Sequence, residues 1–314
     1  MSSLIEQAAQ RLQQLRAAGV EVPEVESPAE AAAAVQPQPA EAGTLADAAF
    51  AGSRRVELDL PRLAAQGIAG PHAQRSRTAD QFRVIKRPLI ANATGKGASK
   101  VARGNLIMVT SALPGEGKSF TSINLAMSIA AELDHTVMLV DADVARPSVL
   151  RMLDLPPSPG LLEVLEGKVE LPEVLLKTNV EKLTVLPSGT PHVKATELLA
   201  SEAMNRLLDD MATRYADRII VFDSPPLLLT TESPVLATHM GQIVMVVHAE
   251  KTLQSSVEQA LATIEACPVK MMVLNRARAE SATYGYGYGY GYGYGHGYGS
   301  SERGEASAAG SRAG

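Results

Sequence analysis

The sequence predicts a doubly wound, mainly parallel α/β sheet with helices on both faces. Three observations carry this prediction. The apolar runs Val137–Val140 and Ile219–Phe222 are continuous rather than alternating, as strands buried on both faces require. From residue 106 onward such runs alternate with helical periodicities, which gives candidate strands 106–110, 136–140, 183–186, 218–222, 242–247 and 269–274. The first of these runs passes through a glycine loop directly into a helix, the connection that puts an anion-binding loop at the carboxyl edge of a parallel sheet.

Taken in order, residues 3–18 place Leu4, Ala8, Leu12 and Leu15 at helical spacing, an amphipathic helix of about four turns. Residues 19–45 are rich in Pro, Ala and Glu and read as linker. Residues 52–77 carry several arginines and some apolar positions, with no assignable periodicity, so 19–77 is expected to be mostly disordered. A helix is expected from a Thr78 cap through Phe82, Val84 and Ile85, with Pro88 bending or ending it. Its Asp80, Arg83 and Lys86 stand three apart and share one face. Further helices are expected over 120–132, over 201–215 behind a Ser201 cap, and over 252–266. The folded domain is therefore drawn at 78–276 and a tail at 277–314.

The loop Ala112-Leu-Pro-Gly-Glu-Gly-Lys-Ser119 identifies the phosphate-binding P-loop of an NTPase. Gly115 and Gly117 let successive N–H groups turn toward phosphate oxygens. Lys118 reaches the β- and γ-phosphates, and the Ser119 hydroxyl suits Mg²⁺. Pro114, Glu116 and Phe120 complete the stretch that meets the nucleotide. Asp141, Asp143 and Asp223 follow strands 136–140 and 218–222. They therefore stand at the same carboxyl edge as the loop. Hard carboxylate oxygens suit Mg²⁺, and a carboxylate can take the proton of an attacking hydroxyl. Asn275 ends the last strand, where it either reads an adenine edge or serves a turn.

The bulk properties set bounds. A net charge of −5 gives no global reason to expect nucleic acid. With Cys267 as the sole cysteine there is no intrachain disulfide. The N-terminus has no uninterrupted apolar segment of the secretory kind, and no run approaches the ~18 apolar residues of a membrane span. Residues 284–299 alternate Tyr and Gly, with His296 in one Tyr place, and contain Tyr284, Tyr286, Tyr288, Tyr290, Tyr292, Tyr294 and Tyr298. Alternating Gly offers little packing surface, so this tract reads as disordered.

Together these motifs resemble the bacterial tyrosine kinases of polysaccharide export, and look closest to the exosortase-associated cytoplasmic autokinases. The resemblance covers roughly residues 78–299. It rests on the P-loop, on Val140-Asp-Ala-Asp-Val-Ala-Arg-Pro147 as a second aspartate motif, and on Ile219-Ile-Val-Phe-Asp-Ser-Pro-Pro226 as the Walker B strand. It implies an ATP- and Mg²⁺-dependent protein-tyrosine autokinase with Lys118, Asp141 and Asp143 catalytic. Ser119, Asp141 and Asp223 would hold the metal, and the seven tail tyrosines would accept phosphate in trans. Asp80, Arg83 and Lys86 match an oligomerisation helix of the ring-forming family members, with Asp and Lys in place of Glu and Arg. Ala145 stands where an Arg often follows the aspartates. The implied partners are a transmembrane activator of the chain-length-regulator type and a protein-tyrosine phosphatase. The implied location is cytoplasmic, at the inner face of the membrane. Two other readings share the P-loop: a partition-type switch ATPase, against which Leu113 stands in place of that group's extra Lys, and a non-catalytic nucleotide-gated scaffold.

Overall fold

The computed structural model describes residues 53–71, 76–215 and 217–277. Among these residues eight strands are formed: β1 (Arg54–Val56), β2 (Leu106–Ser111), β3 (Thr136–Asp141), β4 (Leu176–Thr178), β5 (Leu183–Leu186), β6 (Arg218–Asp223), β7 (Gln242–His248) and β8 (Val269–Asn275). They make one sheet in the order β1-β4-β5-β3-β6-β2-β7-β8. All neighbours run parallel except β4 and β5. Helices in the first half of the chain are α1 (Leu60–Ala65), α2 (Arg77–Ala93), α3 (Lys118–Ala130), α4 (Val149–Met152) and α5 (Leu161–Leu165). The second half adds α6 (Leu171–Val174), α7 (Ala195–Leu199), α8 (Glu202–Arg214), α9 (Glu232–Ala237) and α10 (Gln254–Ala262).

All six predicted strands form. The central ones are buried on both faces, as continuous apolar runs require. On one face Ile107, Val109, Leu139 and Val221 pack with Ile123 and Met127 of α3 in a single core. From the same strands Met108, Met138, Val140 and Phe222 turn to the other face and are equally buried. Register then fixes the functional edge. Asp141 at the end of β3 lies directly beside Asp223 at the end of β6.

Three expectations need correction. Residues 53–71 are not linker. β1 pairs with β4, and Asn179 clamps the backbone of Leu58, accepting from its N–H at 2.9 Å and donating to its carbonyl at 3.1 Å. Leu63 and Ile68 are buried, and the Ala69 N–H donates to Asn124 Oδ1 at 2.9 Å. A three-residue strand is too short for its pattern to register in sequence, and its partner lies more than a hundred residues away. The expected helix at 3–18 lies outside the described residues.

The helix expected from Thr78 is capped instead by Ser76, whose Oγ accepts from the Ala79 N–H at 3.1 Å, and it continues through Pro88 to Ala93. Pro88 and Val84 are exposed, so the hydrogen bond lost at the proline faces water.

Lys86 does not share the open charged face. It is 3 % exposed, pairs with Glu132 at 2.7 Å, and donates to the Ser128 carbonyl in the last turn of α3. An ammonium there meets the negative end of that helix. Asp80 and Arg83 remain outside and pair with each other at 2.6 Å.

The strap formed by residues 53–71 should be an energetic part of the domain. Leu63→Ala should cost about 2–4 kcal/mol, from the lost burial and the cavity left behind. Asn179→Ala should cost about 1–3 kcal/mol, because it leaves two part-buried backbone groups of Leu58 unpaired. Urea denaturation, comparing midpoints at unchanged slope, checks both.

Candidate functional site

The loop after β2 is shaped by two left-handed glycines, Gly115 at φ 79° and Gly117 at φ 99°. A Cβ on Gly117 would come within 2.1 Å of Asn275 Nδ2. Ala112, standing at the usual first glycine, is fully buried and is not among the residues with positive φ. Its substitution therefore costs the loop nothing.

The loop is pinned from outside. Glu116 is 3 % exposed, and its side chain turns away from the cradle. Its carboxylate accepts from the Leu113 N–H at 2.7 Å, the His248 N–H at 3.4 Å and the Thr252 hydroxyl. Asn275 Nδ2 donates to the Glu116 carbonyl at 2.9 Å, while its Oδ1 accepts from the Arg276 N–H at 2.9 Å. Glu116 and Asn275 thus hold the loop in shape. The amide of Asn275 is engaged with P-loop backbone.

Lys118 opens α3 and places Nζ 2.5 Å from Asp143 Oδ2. Asp143 is held in turn by the Arg146 N–H, which donates to Oδ1 at 3.1 Å. Asp141 Oδ2 accepts from the N–H groups of Ser148 and Val149 at 3.1 and 2.9 Å, which draws the segment 143–148 over the site. Asp223 Oδ1 accepts from the Ser122 hydroxyl at 3.1 Å. Asp141 Oδ1 and Asp223 Oδ2 are buried without a well-formed hydrogen bond, the Ser119 hydroxyl being the group near enough to Asp223 to pull its carboxyl down. The Ser119 hydroxyl accepts from Ser148 Oγ at 2.7 Å. The four predicted catalytic and metal-binding acid–base groups therefore converge on one point.

The charge balance follows. Burial pushes the Asp141 carboxyl up, and the charge of neighbouring Asp223 adds to it, raising it from 3.8 to about 7. Asp223 is likewise raised by burial, against the downward pull of Lys118. Burial alone would lower the Lys118 ammonium, but Asp223, Asp143 and Asp141 outweigh it and hold its pKa above the ordinary value.

Two buried carboxylate oxygens without well-formed hydrogen bonds beside a serine hydroxyl form an all-oxygen donor set that suits Mg²⁺. Among the described residues no group of three or more His, Cys, Asp and Glu side chains forms a metal cage. A cavity of about 710 Å³ opens above the loop. Asp143, Lys118, Ser119 and Phe120 line it, and so do Arg151 and Leu229, which sequence reasoning missed. Ser148 was missed as well, though a Ser opening the helix after Pro147 is a cap signal. The seven tail tyrosines lie outside the described residues.

A AAA domain family model matches residues 104–274. Tyrosine-protein kinase Ptk of Acinetobacter johnsonii is 36% identical over 183 residues, covering 58% of this chain and 25% of that protein. Tyrosine-protein kinase YwqD of Bacillus subtilis is 30% identical over 198 residues, covering 63% and 80%. The chain thus spans a quarter of the first relative and about four fifths of the second. Among solved structures, the chimerical protein CapA2B2 superimposes with a TM-score of 0.56 at 26% identity, over 70% of this chain and 92% of that one.

Two outcomes follow from the geometry. Gly117→Ala should abolish nucleotide binding in a folded protein, since the loop must shift both to relieve φ and to clear Asn275; calorimetric titration with ATP checks it. The second concerns pH. Between 3.8 and about 7 the ligand-free folded protein keeps a proton on Asp141 that the unfolded chain has released. Stability from this group is present below 3.8 and is lost as pH rises through about 7. Asp141→Asn removes that loss, so without nucleotide or Mg²⁺ its Tm should gain on the wild type as pH rises from about 5 to about 8. Parallel Tm curves would contradict it.

Proposed function

Because the chain belongs to the bacterial tyrosine-protein kinase family, built on a AAA domain, we propose that it is an ATP-dependent protein-tyrosine kinase whose acceptors are its own C-terminal tyrosines. The observation that carries this is the convergence of Lys118, Asp141, Asp143 and Asp223 on the glycine loop, with two buried carboxylate oxygens unsatisfied.

The residues divide the work. The loop N–H groups and the start of α3 receive the phosphates. Lys118 leaves Asp143 to reach the β- and γ-phosphates, which frees the Asp143 carboxylate at the cavity wall. Asp143 is then the group placed to accept the phenol proton of an incoming tyrosine. Asp141 is spent on the backbone of residues 148 and 149 through one oxygen and turns the other to the metal position, beside Asp223 and Ser119. Mg²⁺ bound there would neutralise charge on the transferring phosphoryl group. Phosphoryl transfer otherwise needs placement, and the pinned loop provides it.

The tail fits the acceptor role. A tract of about 15 residues, if fully extended, would span up to ~50 Å, enough to enter a neighbouring subunit's site. Each phosphate adds about −1.5 to −2 charge. The same reading places the protein at the inner membrane surface through a transmembrane activator of the chain-length-regulator type, in the control of exopolysaccharide synthesis and export. Among the described residues no helix is long and apolar enough to cross a membrane. A ring-like oligomer would use the outer face of α2 through Asp80 and Arg83, with Lys86 acting inside the subunit. A protein-tyrosine phosphatase would reset the tail.

Labelled ATP with Mg²⁺ and the activator tests the proposal. Wild type should label its tail. Lys118→Met should lose about 100-fold or more in rate, and Asp143→Asn about 10²–10⁴-fold. A chain ended after Thr283 should lose the label but keep nucleotide binding. Mixed with wild type, the Lys118→Met chain should still accept label on its tail. Phosphate release without protein label would favour a switch ATPase instead.

A further inference from the structure

β8 is an end strand of the sheet, seven residues long, and among the described residues nothing pairs with its outer side. Its side chains alternate strictly. Met271 and Val273 turn inward and pack against the core, while the outward face carries Lys270 at its start and then Met272 and Leu274, which are 59% and 64% exposed. On that outer face α10 stands off from the strand. Val247, Val257, Met272 and Leu274 then line an open apolar groove of about 330 Å³, with Leu253 exposed nearby. A long unpaired edge beside exposed apolar side chains is a template for another strand, and proteins ordinarily cover or charge such an edge.

The chain itself supplies a matching segment. It leaves β8 at Asn275, and the Tyr-Gly tract begins at Tyr284. The connecting residues 276–283 reach up to ~25 Å, ample for a return along the strand. In an extended strand successive side chains point to opposite faces. Residues 284–299 alternate an aromatic with Gly without a break, since His296 keeps the aromatic place. Paired to β8, the tract would put every ring on one face and only hydrogen atoms on the other. The rings have the same two-residue repeat as Met272 and Leu274. A slip of two residues keeps the rings on the groove, and a slip of one turns them all away.

We infer that the Tyr-Gly tract of this chain docks antiparallel on the free edge of its own β8, with its rings over the Met272–Leu274 groove. The docking does not rest on the kinase reading. One consequence does: rings held at the groove are withheld from the P-loop, and a phosphorylated ring, doubly charged against apolar walls, does not return.

Hydrogen exchange of the full chain without nucleotide tests the docking. Amides of 269–275 and of the tract should be protected together, and limited chymotrypsin should cut the tract slowly. Met272→Glu with Leu274→Glu should raise tract exchange and cleavage about tenfold. So should a tract of the same composition rearranged as Tyr-Tyr-Gly-Gly, which leaves the folded domain unaltered. Protection should persist on dilution. A wild-type tract that exchanges at the rate of a free peptide would overturn the inference. So would a rearranged tract as well protected as the native one. Protection lost on dilution would overturn it too, and would assign the groove to a second copy.

Discussion

The site is organised by repulsion. Sheet register forces Asp141 and Asp223 side by side, and burial removes the water that would screen them. Asp143 adds a third carboxylate, and Lys118 is the cation these residues surround. The ligand-free cluster therefore holds more negative potential than one ammonium offsets. The upward shift of Asp141 is the visible result. A divalent cation relieves that imbalance directly, and an anionic nucleotide alone would worsen it. Nucleotide and metal should thus be coupled ligands, with the metal making room for Lys118 to leave Asp143.

Such a cluster survives only in a frame that does not yield. Glu116 and Asn275 carry that load on one side, tying the loop to the ends of β7 and β8. Asp141 gathers the segment leading into α4 on the other. The strap contributes from behind: Gly67 backs onto the ring of Phe120, a wall of the nucleotide cavity, and Ala69 is tied to Asn124 on α3. Residues before the matched AAA domain thus touch the helix that begins with Lys118.

What could be read from sequence was whatever is written locally. Apolar-rich runs located all six main strands, and the glycine loop with the strand-end aspartates located the cavity. Non-local features stayed hidden. β1 is defined by a partner far along the chain, and the Asn179 clamp is a contact no spacing announces. Lys86 looked like a surface charge because its helical spacing fits Asp80 and Arg83; only the crossing of α2 over the end of α3 buries it. Glu116 belonged to the loop motif, yet its side chain serves the far side of that loop. Asn275 offered an amide of the right shape for a base, and the structure places it against backbone.

The two ends of the sheet make a final contrast. β1 is three residues long and shows Arg54 and Arg55 to solvent, an edge blunted by shortness and charge. β8 is more than twice as long and exposes Met272 and Leu274. A fold that guards one edge, and on the other leaves Met272 and Leu274 open beyond a single Lys270, has either accepted an aggregation hazard or kept the second edge for a strand. The chain continues from β8 into the tract whose alternation fits that edge. Composition alone would make Tyr-Gly repeats a spacer, but strict alternation does more than a spacer needs: in an extended strand it would sort all rings to one side.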